Sequence, residues 1–502
     1  MTHDAPASTT PAEIRAIYFA MMTVLGLSAL DQSIVSTALP RIVSDLGGMA
    51  HLSWVVTAYV LASTVTMPLY GKLADQYGRR PLIFAALGIF LLGSALCGLS
   101  QNMVQLIVFR AIQGVGAGGF MPLAQIIIGD VVPPSERGKR MGMIPIVFAV
   151  TSVLGPVVGG LITDWLSWHW IFYVNLPIGA LAFQAIARSL HKPVVKHAHR
   201  IDYLGSALLT GSLTALLLVL ALGGTEWAWD SNQVRICLAL AVGMGIALAF
   251  HVRSAAEPVL PPDLFHSRVF NIASIVMALT FTGLMGATIF FPLFFQVVMG
   301  SSPAQSGLLT VLMMVGLVLS SFLNGRLMAK SGKYKMVQVA GLLAATISFG
   351  ALAWAMEKGL GYAVIEPAIF LMGLGLGLVM PNMTIAVQNA LPLARRGVGT
   401  AMLTFFRSLG GLLGVTGSGA ILARQLHMHG IQAVAVASAD GHGGGAVVAS
   451  ATQAAAQVAV YRHAIASVFA AGGVMVGLGL LALLFLPELP LSGHAPVKQQ
   501  GS

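Results

Sequence analysis

Two charged residues stand where a charge is hardest to keep. Asp31 interrupts an apolar run at about 15–40, and Arg110 interrupts another at about 104–129. A charge at such depth costs about 2.5–3.5 kcal/mol on the insertion scale, so intramembrane charges mark function by default. Burial favours a protonated acid, and a nearby guanidinium favours the ionised one. A movement that changed the separation of Asp31 and Arg110 would therefore load and release one proton. Arginine stays protonated, which makes Asp31 the titrating partner. The competing reading is a static ion pair. Arg110 shares a helical face with Gly114 and Gly118, small residues that let another helix or a hydrated cleft come close. Arg407 is a second arginine inside a run, suited either to binding substrate or to structural hydrogen bonding.

These residues need helices to carry them. Of 502 residues, 57% are hydrophobic and 9% charged, against about 25% charged in a soluble domain. That composition excludes a soluble globular protein. The apolar runs approach the roughly 20 residues that cross a bilayer, and they do not alternate as barrel strands do. The chain therefore reads as an all-α polytopic membrane protein. Fourteen spans are expected, near 15–40, 52–71, 81–99, 104–129, 140–163, 170–190, 203–222, 234–252, 270–298, 304–328, 336–356, 363–388, 398–423 and 463–486. Cytoplasmic termini place 20 of the 27 Lys and Arg in cytoplasmic loops and 5 outside, as the positive-inside rule requires. The net charge of +10 then reflects topology and lipid contact, and it implies no nucleic-acid partner. The first apolar segment lacks a signal-peptide cleavage pattern and reads as a retained helix.

Residues 1–13 and 488–502 read as cytoplasmic tails, and 425–460 as a long outer loop. His427, His429, His442 and His463 in and beside that loop have no accompanying Cys or paired carboxylate, so no metal site is assigned. The chain also repeats itself. Gly71-Lys72-Leu73 with Gly78-Arg79 recurs 254 residues later as Gly325-Arg326-Leu327 with Gly332-Lys333. Gly114, Gly116 and Gly118 before Met121-Pro122 recur 259 residues later as Gly373, Gly375 and Gly377 before Met380-Pro381. Two six-helix halves, 14–190 and 269–487, with two helices at 202–253 inserted between them, account for these offsets. Such repeats are a transporter architecture, with the substrate site near mid-membrane.

Five motifs in order resemble the major facilitator superfamily, specifically its fourteen-span drug:proton antiporter-2 branch (EmrB/QacA-like). Leu30-Asp31-Gln32-Ser33-Ile34-Val35-Ser36-Thr37-Ala38-Leu39-Pro40 is similar to the branch's first-helix motif. Gly71-Lys72-Leu73-Ala74-Asp75-Gln76-Tyr77-Gly78-Arg79-Arg80 is similar to the superfamily's signature loop. Arg110 through Gly118 resembles the fourth-helix motif, and Gly155-Pro156-Val157-Val158-Gly159-Gly160 the antiporter motif of helix five, with Thr151 where its first Gly is usual. Trp168-His169-Trp170-Ile171-Phe172-Tyr173-Val174-Asn175-Leu176-Pro177-Ile178-Gly179 is the most branch-specific.

The resemblance implies a cytoplasmic gate. Gly71 and Gly78 would allow close backbone approach, Asp75 would sit at the start of helix thirteen where a helix dipole favours a carboxylate, and Arg79 would pair with Asp130. The second copy of the loop has Ala329 where the first has Asp75, so topology alone does not demand the acid. The resemblance further implies export of drug-like or amphiphilic compounds across a bacterial inner membrane, driven by inward proton flow with no cofactor. The sequence leaves open a dedicated exporter of one metabolite, lipid or siderophore, and a membrane sensor without transport. A P-loop and the common hydrolase motifs are absent, which argues against ATP as fuel and against an enzyme. Gln113, Gln296, Asn382 and Arg407 are candidate polar groups of a substrate cavity. The expected partners are a small-molecule substrate and the lipid bilayer, and no residue pattern speaks to a periplasmic adaptor.

Overall fold

The computed structural model describes residues 11–47, 52–132, 134–189, 202–224, 226–255, 257–331, 334–428 and 451–488. Among them every regular element is helical, apart from an isolated bridge between Gly223 and Trp227. The chain divides into two compact units, residues 1–201 with Leu393–Ala401, and residues 202–392 with 402–502.

The first unit holds α1 (Pro11–Leu46), α2 (Leu52–Tyr77), α3 (Arg79–Gly98), α4 (Met103–Ala117), α5 (Phe120–Val131), α6 (Pro134–Met141), α7 (Ile144–Trp165), α8 (Trp170–Tyr173) and α9 (Asn175–Ser189). The second holds α10 (Tyr203–Leu222), α11 (Asn232–Ser254), α12 (Arg268–Leu293), α13 (Pro303–Ser331), α14 (Lys335–Glu357), α15 (Tyr362–Gly377), α16 (Met380–Ala390) and α18 (Ala451–Leu484). The helix between the last two, α17 (Arg396–Met428), begins in the first unit and continues in the second. Among the described residues, thirteen helical stretches are long and apolar enough to cross a membrane. They coincide with all the expected spans except 52–71, which is itself one continuous helix, α2. The chain is therefore a multi-pass membrane protein.

Three spans expected as single helices are broken, that at 170–190 only at Val174, between α8 and α9. That at 104–129 is α4 and α5, divided at Gly118–Gly119, and that at 363–388 is α15 and α16, divided at Leu378–Val379. Proline explains these last two breaks, since Pro122 has no N–H for the Gly118 carbonyl and Pro381 none for that of Gly377. Sequence reading recognised the Met-Pro repeat but missed this consequence. The stretch expected as a loop, 425–460, overlaps both neighbouring helices, because α17 runs on to Met428 and α18 starts at Ala451. His429 and His442 lie outside the described residues, as do Gly332 and Lys333. His463 is paired with Glu357 at 3.0 Å.

The glycine repeat is a packing device used twice. In the first unit a side chain on Gly114 or Gly118 would strike the backbone of Tyr59 or Ser63 on α2, and one on Gly116 would strike Ala86 and Phe90 on α3. In the second, Gly373 and Gly377 lie likewise against Met313 and Leu317 on α13, and Gly375 against Gly341 and Ala345 on α14. The three-helix contacts match at offsets of 254 to 259, so the sequence repeat is a structural repeat. The inserted pair α10 and α11 is joined by Ser212, whose hydroxyl donates to the Ala241 carbonyl at 2.8 Å. Thr416 of α17 ties that pair to the rest of the second unit by donating to the Leu220 carbonyl at 2.6 Å.

Candidate functional site

The site grows from α1. Its residues Ile34, Val35, Ala38 and Ile42 enter an apolar core with Trp168 and Phe172, which fixes the rotation of the helix. Ser33 and Thr37 then face α7, where Gly155 and Gly159 leave room for them, and the Ser33 hydroxyl donates to the Thr151 carbonyl at 3.1 Å. A side chain on Gly160 would meet nothing. Gly160 thus points off the α1 contact that Gly155 and Gly159 make.

Asp31 is turned from α7 toward α4 and is 1% exposed, as is Arg110. Arg110 Nη1 donates to Asp31 Oδ2 at 2.7 Å and to Gln113 Oε1 at 2.7 Å, while its Nε donates to the Val55 carbonyl at 3.2 Å. The guanidinium carbon lies 4.1 Å from the centroid of the Tyr59 ring, in cation–π contact. The other carboxylate oxygen, Asp31 Oδ1, accepts from Gln113 Nε2 at 2.9 Å and Asn175 Nδ2 at 2.7 Å. Asn175 Nδ2 also donates to Ser94 Oγ at 2.9 Å, and Ser94 donates on to the Phe172 carbonyl at 2.8 Å. Both charges are thus compensated by geometry that four helices supply together. The pair is inside the first unit, with glycines on α4 serving helix contact rather than a hydrated cleft.

Sequence reading found Asp31 and Arg110 but missed Tyr59, Ser94 and Asn175. Asn175 was legible as the polar residue of the Trp168–Gly179 motif. That motif is anchored by Trp168, whose indole N–H donates to Asp45 Oδ2 at 3.0 Å, and it delivers Asn175 to the carboxylate.

A second cluster lies at the end of α2. Asp75 Oδ1 accepts from the backbone N–H of Gly397 at 3.0 Å, and Oδ2 from that of Val398 at 2.8 Å. These are first-turn amides of α17, which the helix itself leaves unsatisfied. Arg79 Nη2 pairs with Asp75 at 3.0 Å and its Nε with Asp130 Oδ2 at 3.0 Å. Burial pushes the Asp75 carboxyl up to about 6, with Arg79 and the two amides opposing the rise. A side chain on Gly71 would strike Gly397, Val398 and Ala401. Gly78 sits at the junction of α2 and α3. Its φ of 87° is the left-handed turn that lets α3 start directly after α2.

The four cavity candidates differ in what holds them. Gln113 belongs to the Asp31 network. Asn382 is fully buried and exchanges amide hydrogen bonds with Asn324 of α13 at 2.8 and 3.0 Å, so both are committed to helix packing. Gln296 is exposed and donates to Ser306 Oγ at 3.0 Å. Arg407 is half-buried on α17, its guanidinium carbon 5.1 Å from the Phe281 ring centroid.

Residues 21–415 match the family model of the Major Facilitator Superfamily. The chain is 39% identical over 403 residues to "Multidrug transporter protein MdtP" of Bacillus subtilis, covering 80% of this chain and 74% of the relative. It is 36% identical over 411 residues to "Multidrug resistance protein 3" of the same organism, covering 82% and 80%. A fungal relative, "MFS-type efflux pump LUC4" of Fusarium, is 34% identical, with 82% and 76% covered. Among solved structures, the proton:xylose symporter XylE matches with a TM-score of 0.64 at 16% identity, over 95% of this chain and 96% of that one. That likeness concerns the fold alone.

Proposed function

The chain belongs to the Major Facilitator Superfamily and is a membrane transporter, not an enzyme; from that premise we propose that it exports drug-like or amphiphilic small molecules by alternating access, driven by protons flowing inward. Export is supported by relatives named as multidrug and efflux transporters. The observation that carries proton coupling is the Asp31–Arg110 pair, the one ion pair among the described residues with both side chains at most 1% exposed. Asp31 takes a proton when the network of Arg110, Gln113 and Asn175 opens, and gives it up when the guanidinium returns. Asp75 acts as a latch. Its two oxygens hold the first turn of α17 against α2, and they must let go whenever that helix start moves. No cofactor takes part, and the proton gradient is the energy source. The protein sits in a bacterial inner membrane with both termini cytoplasmic, as the 20-to-5 distribution of basic residues implies.

The test is purified protein in vesicles with an imposed pH gradient, reading the flux of a dye panel. Wild type moves several dyes against their gradient, and Asp31→Asn moves none. Movement of a single metabolite and no dye would make it a dedicated exporter, and gradient-driven dye flux through Asp31→Asn would reject Asp31 as the coupling acid.

A further inference from the structure

Arg110 and Arg407 both interrupt apolar spans, and their surroundings differ in kind. Arg110 has a carboxylate, two oxygen acceptors and an aromatic face. Arg407 has only the face of Phe281 on α12, with no carboxylate and no hydrogen-bond acceptor among the described residues. A guanidinium carries five N–H donors in a planar fork that matches a carboxylate or sulfonate. Holding it at membrane depth without a partner is costly, and the second unit offers few acids to relieve it. Helices α12, α13, α17 and α18 contain no Asp or Glu. Glu357 at the end of α14 is engaged by His463, and Glu366 in α15 makes no ion pair with Arg407.

The position also fits a ligand. Arg407 lies 11 residues beyond Arg396, the first residue of α17, or about 16 Å at 1.5 Å per residue, near the middle of a hydrocarbon core roughly 30 Å thick. That depth is beyond the reach of lipid headgroups. One turn further on, α17 is fixed to α12 by Thr282, which donates to the Gly410 carbonyl at 3.0 Å. The guanidinium and the Phe281 ring are therefore presented by a rigid pair of helices. Met285, the nearest neighbour of Gly411, adds a soft apolar wall.

We infer that Arg407, with Phe281, is the seat of an anionic group on the transported molecule, which selects amphiphiles having one carboxylate or sulfonate beside an aromatic body. The inference rests on the export reading above and names its substrate class. The anion replaces the missing counter-ion, and the ring of Phe281 takes part of its apolar body.

The experiment uses two probes of one shape and opposite charge, 2-naphthalenesulfonate and 2-naphthyltrimethylammonium. Binding to the full-length protein in lipid-free detergent is measured by calorimetry for wild type, Arg407→Lys and Arg407→Met. The sulfonate binds wild type more tightly than the ammonium ion. Arg407→Met weakens sulfonate affinity at least tenfold with no loss for the ammonium ion, and Arg407→Lys retains an intermediate affinity. Because no partner is orphaned, Arg407→Met unfolds no more readily than wild type without ligand. Equal sulfonate affinity in Arg407→Met, preference of wild type for the cation, or destabilisation of the unliganded variant would each overturn the inference. If Arg407→Met fails to fold, a structural role is established and the inference falls. Phosphatidylglycerol displacing the sulfonate would assign the seat to a lipid headgroup instead. Absence of flux for every dye in vesicles tells against the export reading, whichever probe binds.

Discussion

Asp31→Asn separates a coupling pair from a merely buried one. The carboxylate takes three donors, Arg110 and Gln113 from α4 and Asn175 from α9. Asparagine keeps one acceptor and brings an N–H2 group into a ring that already consists of donors, so one contact becomes donor against donor. It also removes the charge facing Arg110. Two unit charges about 4 Å apart interact by roughly 4 kcal/mol at an effective dielectric constant of 20, and breaking one partner of a buried pair typically costs about 3–5 kcal/mol. We expect Asp31→Asn and Arg110→Gln each to lose about that much stability in SDS-driven unfolding from mixed micelles. The double variant should lose less than the sum by about 1–3 kcal/mol, the coupling of groups in direct contact. Substrate-induced proton release, read with a pH dye in lightly buffered detergent, should vanish in Asp31→Asn. Additive stabilities would show that the pair is not energetically coupled. Proton release of wild-type size in a folded Asp31→Asn would refute the assignment outright.

Further expectations follow from the latch and the packing. The Asp75 carboxyl is raised from 3.8 to about 6, so the folded state holds its proton more firmly than the unfolded chain. Its contribution is full below pH 4 and lost as pH rises to 6, a slope worth about 3 kcal/mol at 1.36 kcal/mol per pH unit. A pH series of unfolding midpoints should show that slope in wild type and not in Asp75→Asn; parallel curves would be the refuting result. Gly114→Val and Gly373→Val, which drive side chains into the backbones of Tyr59 and Met313, should abolish monodisperse protein in size-exclusion chromatography. Gly160→Ala, facing open space, should leave both protein yield and dye flux unchanged despite its place in the antiporter motif. Trp168→Phe keeps the aromatic body but leaves Asp45 without its indole donor, and should cost about 1–2 kcal/mol of stability, read in the same SDS titration.

Most of the fold was legible because a bilayer forces one signal, length plus apolarity, onto every span. What that signal does not contain is how a span is interrupted. The breaks at Gly118–Gly119 and Leu378–Val379 depend on single prolines, whose effect is local hydrogen-bond loss and not a change of hydropathy. Asp31, Arg110 and Asp75 were legible because a charge within or beside an apolar run is conspicuous. Asn175, Ser94 and Tyr59 were not, because neutral polar residues are unremarkable in sequence and acquire meaning only when four helices bring them to one carboxylate. Two of the cavity candidates show the same in reverse. Gln113 and Asn382 looked free as isolated amides, yet each is held by a partner on its own or a neighbouring helix.

The internal repeat supplies a control for the meaning of the ion pair. Both halves build the same helix contacts from the same three glycines, so whatever packing requires should be present twice. At the offset of 259 set by those glycines, Arg110 corresponds to Ile369 and Gln113 to Met372, and at the offset of 254 set by their partner helix, Tyr59 corresponds to Met313. Ile369, Met372 and Met313 are all fully buried. The second half thus satisfies the same three-helix junction with aliphatic and thioether side chains, which avoid the desolvation that a buried guanidinium entails. A structural need for charge at this junction would have applied to both copies. Its presence in one argues that the first half keeps an expensive arrangement for what it does, and a variant carrying Ile at Arg110, Met at Gln113 and Met at Tyr59 together with Asp31→Leu should fold at least as stably as wild type while moving no substrate against a gradient.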